Sequence, residues 1–114
     1  MKNNYFAFSI LIQELRAAYD LEAVTSGRPA LLLTAAVAAG QATIDIAYDI
    51  PGISRDLDFI NLMTYDLHGS WEKVTGHNSP LYSRSGETGD DLKLNVDFAA
   101  KYWVQQVRLF SPSI

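Results

Sequence analysis

Cysteine is absent from the 114 residues. No disulfide frame or thiolate metal site can form, and the redox compartment stays open. There is no N-x-[ST] acceptor either, because Asn78-Ser79 is followed by Pro80. Basic clusters are missing: nine Lys/Arg are scattered among thirteen Asp/Glu, for a net charge of −4. That argues against nucleic acid and is compatible with a neutral ligand. No apolar run is long enough to span a membrane. The sequence has no P-loop, no Gly-rich dinucleotide motif and no Ser-His-Asp elbow. His68 and His77 lack metal spacing with any carboxylate, so neither a metal site nor a cofactor is expected.

What is present reads as a folded chain. An apolar share of 48% against 19% charged excludes a disordered tail. The length suits one small domain or a piece of a larger one. Near the start, Lys2 followed by Tyr5–Ile12 loosely mimics a signal peptide. The apolar run is short, includes Ser9 and lacks a cleavage site. Phe8, Leu11, Ile12, Leu15 and Tyr19 instead recur at helical spacing, which predicts an amphipathic helix from about Tyr5 to Val24. Gly27 and Pro29 stop it.

"ALLLTAAV", Ala30–Val37, is an uninterrupted apolar run, as in a strand covered on both faces. "AYDIPGISRDL" predicts one or two helical turns interrupted by Pro51 and Gly52. "DFINLMTY", Asp58–Tyr65, is a second strand-like run. A long Gly-rich stretch follows, from Asp66 to about Lys93; a connection of that length is functional or disordered. Last, Val96, Ala99, Ala100, Trp103 and Val107 share one helical face, with Asn95 or a neighbour as cap. The alternation is that of an α/β protein. Two parallel strands are too few for a stable sheet, so the pattern expects further strands on each side.

Residues 58–72 hold the candidate chemistry. Strand alternation puts Phe59, Asn61, Met63 and Tyr65 on one face and Ile60, Leu62 and Thr64 on the other. If the second set packs on helices, the first points into a barrel or crevice. Met63 and Tyr65 then lie at the carboxyl end of the strand, where α/β folds place ligands, with Asp66 just beyond. A tyrosine hydroxyl there can donate to a carbonyl, an aspartate can accept from a hydroxyl, and Trp71 offers a flat apolar face. The plainer alternative stays open: Met63 as core filler, Tyr65 as a half-buried strand end, Asp66 as a loop cap. Asp56/Asp58 and Asp90-Asp91 read as solvated charges.

"ALLLTAAVAAGQATIDIAYDIPGISRDLDFINLMTYDLHGSWE", with "TGHNSPLY" and "LNVDFAAKYW", resembles the middle of a family 18 glycoside hydrolase, the animal chitinases and chitinase-like lectins. The resemblance implies a partial (β/α)8 TIM barrel covering about two βα units, with "ALLLTAAV" as the fifth strand and "DFINLMTY" as the sixth. It implies hydrolysis of chitin or chitooligosaccharide by substrate-assisted retention, an exception to the two-carboxylate scheme. By resemblance Tyr65 would hydrogen-bond the acetamido carbonyl that attacks the anomeric carbon. Asp66 would bind near the scissile bond. Met63 would floor the pocket with small Ala36 beside it at the end of the preceding strand, and Trp71 would stack on a sugar on the leaving-group side. The family is mostly extracellular.

Two departures accompany the resemblance. The family's proton donor ends an Asp-x-x-Asp-x-Asp-x-Glu run, which this sequence does not contain; Glu14 and Glu22 match nothing. Where the family turns into its seventh strand, the chain reads "VRLFSPSI". Residues 1–114 are therefore expected to be a partial catalytic domain truncated at both ends, with the missing barrel segments as its partners. Three readings follow: a fragment of an active chitinase without its general acid, a fragment of a non-catalytic chitin-binding lectin, and a free-standing small α/β protein with no carbohydrate role.

Overall fold

A computed structural model describes residues 5–110. Lys2 and the closing Ser111–Ile114 lie outside the described residues. The element order is helix α1 (Tyr5–Ser26), strand β1 (Thr34–Ala38), helices α2 (Gln41–Ala47) and α3 (Ile50–Asp56), strand β2 (Phe59–Met63), a 3-10 turn (Gly89–Lys93) and helix α4 (Val96–Phe110). The strands pair in parallel, Thr34 opposite Phe59 and Ala38 opposite Met63. Parallel strands need a crossover, and α2 and α3 supply it. The arrangement is α/β, in keeping with part of a (β/α) barrel. No helix among the described residues is long and apolar enough to cross a membrane.

Helix α1 ends where Gly27 adopts φ 68° and its N–H returns to Ala23 O at 3.0 Å, a left-handed cap that glycine enters freely. Its inner face carries Ile12, with Phe8, Leu15 and Tyr19 packed alongside. Leu11, expected on that face, is half exposed; Ser9 is buried in its place. The reason lies in α3. A Cβ on Gly52 would come within 3.1 Å of Ser9 Cβ and 2.2 Å of Asp49 Oδ2, so the two helices meet over small residues. Asp49 caps α3 by accepting from Gly52 N–H at 3.2 Å. Pro51 occupies the first turn, where its missing N–H costs nothing. It opens a helix rather than interrupting one.

Both strands are shorter than the apolar runs that predicted them. Leu31 and Leu32 are exposed, and the register pairs only residues 34–38 with 59–63. Leu33 N–H is met instead by the Asp58 carboxylate at 2.8 Å, and Asp58 N–H by Leu33 O at 2.8 Å. Arg16 reaches across from α1 to Asp58 Oδ2 at 2.6 Å and to Asp56 O at 3.0 Å. Leu33 N–H, and next the Arg16 guanidinium, hold the Asp58 carboxyl below the usual carboxylate range. The residue read as a solvated charge therefore latches α1 to the amino ends of both strands.

The core is Ile12, Leu33, Val37, Ile44, Ile50, Ile53 and Trp103, with Ile60 and Leu62 packed against it. Each fully buried aliphatic side chain contributes about 1.5–3 kcal/mol. In α4, Ala99 and Trp103 face inward as expected, while Ala100 is exposed. On the opposite face of the sheet Thr34, Ala36, Phe59 and Asn61 are open. The radius of gyration is 17.0 Å, against about 13 Å for a compact domain of this length.

Candidate functional site

The site begins where β2 stops alternating. Thr64 N–H donates to Leu62 O at 3.0 Å, a three-residue turn that ends the strand at Met63. Asp66 then takes φ 54°, a left-handed conformation uncommon outside glycine but tolerated by Asp. Three hydrogen bonds fix this corner. Asn78 Nδ2 donates to Asp66 Oδ1 at 2.7 Å, Leu67 N–H donates to Asn78 O at 3.0 Å, and the Ser79 hydroxyl donates to Thr64 O. Residues 67–78 thus leave and return at one point, a closed loop. Leu67 anchors it in a second apolar cluster with Ala39 and Ala99.

The returning chain also starts α4. Pro80 O accepts from Val96 N–H at 2.9 Å and Leu81 O from Asp97 N–H at 3.0 Å. Asn95, buried, accepts from Phe98 N–H at 2.9 Å and donates to Leu92 O at 2.9 Å. The amide donors orphaned at the helix start are met by loop and cap.

Tyr65 is 54% exposed and Trp71 68% exposed. The Trp71 indole lies directly over Gly69, where an added Cβ would stand 2.2 Å from Cζ3. Glu72 closes the turn below, accepting from Gly69 N–H at 3.1 Å and from His68 Nδ1 at 3.0 Å. Because a carboxylate only accepts, Nδ1 carries the hydrogen of that bond. The His68 bond, and the Gly69 N–H with it, hold Glu72 below the usual carboxylate range against its partial burial.

Met63, Tyr65 and Asp66 come together at the carboxyl end of β2, with Trp71 on the loop that follows. Ala36 does not sit at the end of its strand. It is the middle residue of β1, opposite Asn61, and the position opposite Met63 is Ala38. Ala36 shares the open face but lies one step, about 6.6 Å, below. Ala38 is held by aromatic side chains: its N–H donates to the Tyr48 hydroxyl at 3.0 Å, and its carbonyl accepts from Trp103 Nε1 at 2.9 Å. Among the described residues no three His, Asp or Glu side chains gather as a metal site would require.

A parallel strand ending in exposed Tyr-Asp, with a tryptophan platform on the next loop, invites comparison with known proteins. The sequence profile of glycosyl hydrolases family 18 matches residues 2–112. The chain belongs to that family. It is 52% identical to chitotriosidase-1 of Mus musculus over 99 residues, which is 87% of this chain and 21% of the mouse protein. An immunomodulatory active chitinase of Trichuris suis, TsES1, superposes with a TM-score of 0.87 at 41% identity, covering 92% of this chain and 28% of that one. Human YKL-39, a pseudo-chitinase with retained chitooligosaccharide binding, superposes with a TM-score of 0.83 at 44% identity, covering 87% and 28%. The chain thus spans about a seventh to a quarter of the length of the curated relatives it matches.

Sequence reasoning in this family-18 chain missed Asn78 and Ser79, which clasp the loop, and Glu72 with His68, which shape the turn under Trp71. Only "TGHNSPLY" hinted at the first pair. Its Pro80, following two small hydrogen-bonding residues, marks a turn. Nothing short of the loop closing would put Asn78 beside a residue twelve positions earlier.

Proposed function

We propose that this chain contributes the acetamido-orienting wall of a chitin-binding groove. Strands β1 and β2 serve as the fifth and sixth strands of a (β/α)8 barrel of which residues 1–114 are a part. Tyr65 donates to the acetamido carbonyl of an N-acetylglucosamine unit and holds it against the anomeric carbon, while Asp66 binds near the scissile bond. Met63, with Ala36 further down the same face, floors the pocket, and Trp71 stacks on a sugar on the leaving-group side. Catalysis here is orientation of the substrate's own nucleophile, the source of large effective molarities. The observation that carries the reading is the exposed Tyr65–Asp66 corner at the carboxyl end of a parallel strand, followed by the Trp71 platform. The whole protein acts outside the cell.

The barrel segments beyond these two strands are the chain's first partners. An apolar concavity of about 430 Å³ lined by Ile60, Leu62, Trp103, Val104 and Val107 stands open, and Leu21, Val24 and Leu32 are exposed. With the extended shape, this disfavours a free-standing domain without a carbohydrate role. A second reading, a fragment of a non-catalytic chitin-binding lectin, is in keeping with the likeness to human YKL-39; the residues of this chain fit it and an active chitinase alike.

The 114-residue chain should bind chitohexaose without cleaving it, since no general acid is in place. Replacing Tyr65 by Phe should weaken binding several-fold, the loss of one hydrogen bond of about 1 kcal/mol. Trp71→Ala should cost about tenfold, or ~1.4 kcal/mol. Calorimetric titration reads both. Unaltered affinity in the two variants would reject the assigned groove, and measurable turnover by the pure chain would reject the missing-acid argument.

A further inference from the structure

We propose that Glu72 and His68 are positioning residues that hold the Trp71 indole as a rigid one-sided platform, a proposal that rests on Trp71 being the sugar-stacking residue. Trp71 is two-thirds exposed, so burial in a core does not fix it. An indole on an irregular turn would otherwise sample several rotamers and lose that freedom on each binding event.

The turn removes that freedom beforehand. Both Glu72 oxygens lie 3.0 Å from His68 Nδ1, and Oε2 also accepts from Gly69 N–H at 3.1 Å. Glu72 N–H returns to Gly69 O at 3.1 Å. Residues 69 and 72 are therefore tied twice, once through the backbone and once through the carboxylate. The carboxylate bonds are the stronger kind, being to an ionised acceptor. His68 is itself wedged: a Cβ on Gly76 would meet its Cγ at 2.6 Å, so the imidazole is backed by the far side of the loop. With Gly69 fixed, the indole rests on a surface with no Cβ to lift it, its other face free for the C–H side of a pyranose.

The depressed titration of Glu72 agrees with the geometry, since its neighbours favour the charged form. Removing the carboxylate leaves only the backbone tie, and the platform should then swing. The effect is on the order of Trp71, not on the sheet, because the carboxylate's hydrogen bonds run to His68 and Gly69 within the turn itself.

The test uses the two tryptophans of the chain as probe and control. Trp103 is buried and hydrogen-bonded to Ala38 O; its indole ¹⁵N–¹H signal reports the fold. In Glu72→Ala the Trp71 indole order parameter should fall from the rigid range, about 0.85, to below about 0.6, with Trp103 unchanged. Glu72→Gln keeps one acceptor and should lie between. If Glu72→Ala fails to fold, Glu72→Gln decides alone. Trp71 order unchanged in a folded variant overturns the proposal, as does loss that occurs only together with Trp103. A chitohexaose titration then separates the two claims. Loosened Trp71 with weaker binding supports both, whereas loosened Trp71 in a chain that never bound the sugar upholds the positioning and sinks the groove.

Discussion

Replacing Trp103 by Phe isolates one hydrogen bond that joins α4 to the carboxyl end of β1. The indole N–H donates to Ala38 O at 2.9 Å across 65 positions of sequence, and the ring packs 5.4 Å from Tyr48, tilted by 60°. Phenylalanine keeps a ring against Tyr48 and in the core but has no donor. The stranded carbonyl then costs about 1–3 kcal/mol, and the space left by the second ring adds about 1 kcal/mol. Unfolding temperature should fall by about 8–32 °C, at about 4–8 °C per kcal/mol for domains near this size. Far-UV circular dichroism during a thermal ramp measures it. Tyr48→Phe is the control, since it strands the Ala38 N–H, costing about 1–3 kcal/mol by the same reasoning but without the space left by a second ring. A loss in Trp103→Phe no larger than in Tyr48→Phe would refute the reasoning. Because Ala38 stands opposite Met63, the same substitution should shift the Met63 methyl resonance.

Asp58 titrates below its ordinary range because Leu33 N–H and Arg16 favour its charged form. A depressed carboxyl adds stability above its unfolded pKa, about 4, and loses that contribution as pH falls through its lower folded value. Asp58→Asn should therefore flatten the decline of unfolding temperature below about pH 4; parallel pH profiles for the two proteins would contradict the latch. Asn78→Asp places a second carboxylate against Asp66, now 2.7 Å from the Asn78 amide. One of the two should titrate above the usual carboxylate range, visible by carbonyl NMR, and two ordinary titrations would show that the loop does not close as described.

The helices and strands were legible because burial imposes a period. Ile12, Leu15 and Tyr19 on α1 and Ala99 and Trp103 on α4 repeat at helical spacing and do pack inward. The strands were found but overextended, since an apolar residue such as Leu32 reads the same whether or not a neighbouring strand is present to pair with it. Pro51 was misread for a related reason: its effect depends on whether it sits in the first turn or beyond it, which the Asp49 cap decides. The open face of β2 followed from alternation as far as Met63. Beyond that, the Thr64 turn and the left-handed Asp66 set the direction of the site, and neither has a period to read.

The sequence by itself determined the α/β order, the family and the cluster of Met63, Tyr65, Asp66 and Trp71, because each is a property of neighbours along the chain. Tertiary structure alone decided that Asn78 meets Asp66, that Arg16 and Asp58 latch the strand ends, and that Ala38 rather than Ala36 stands beside Met63. Those are contacts between distant positions. They exist only after loop closure has been offset by burial elsewhere, and local composition carries no record of which distant partner will arrive.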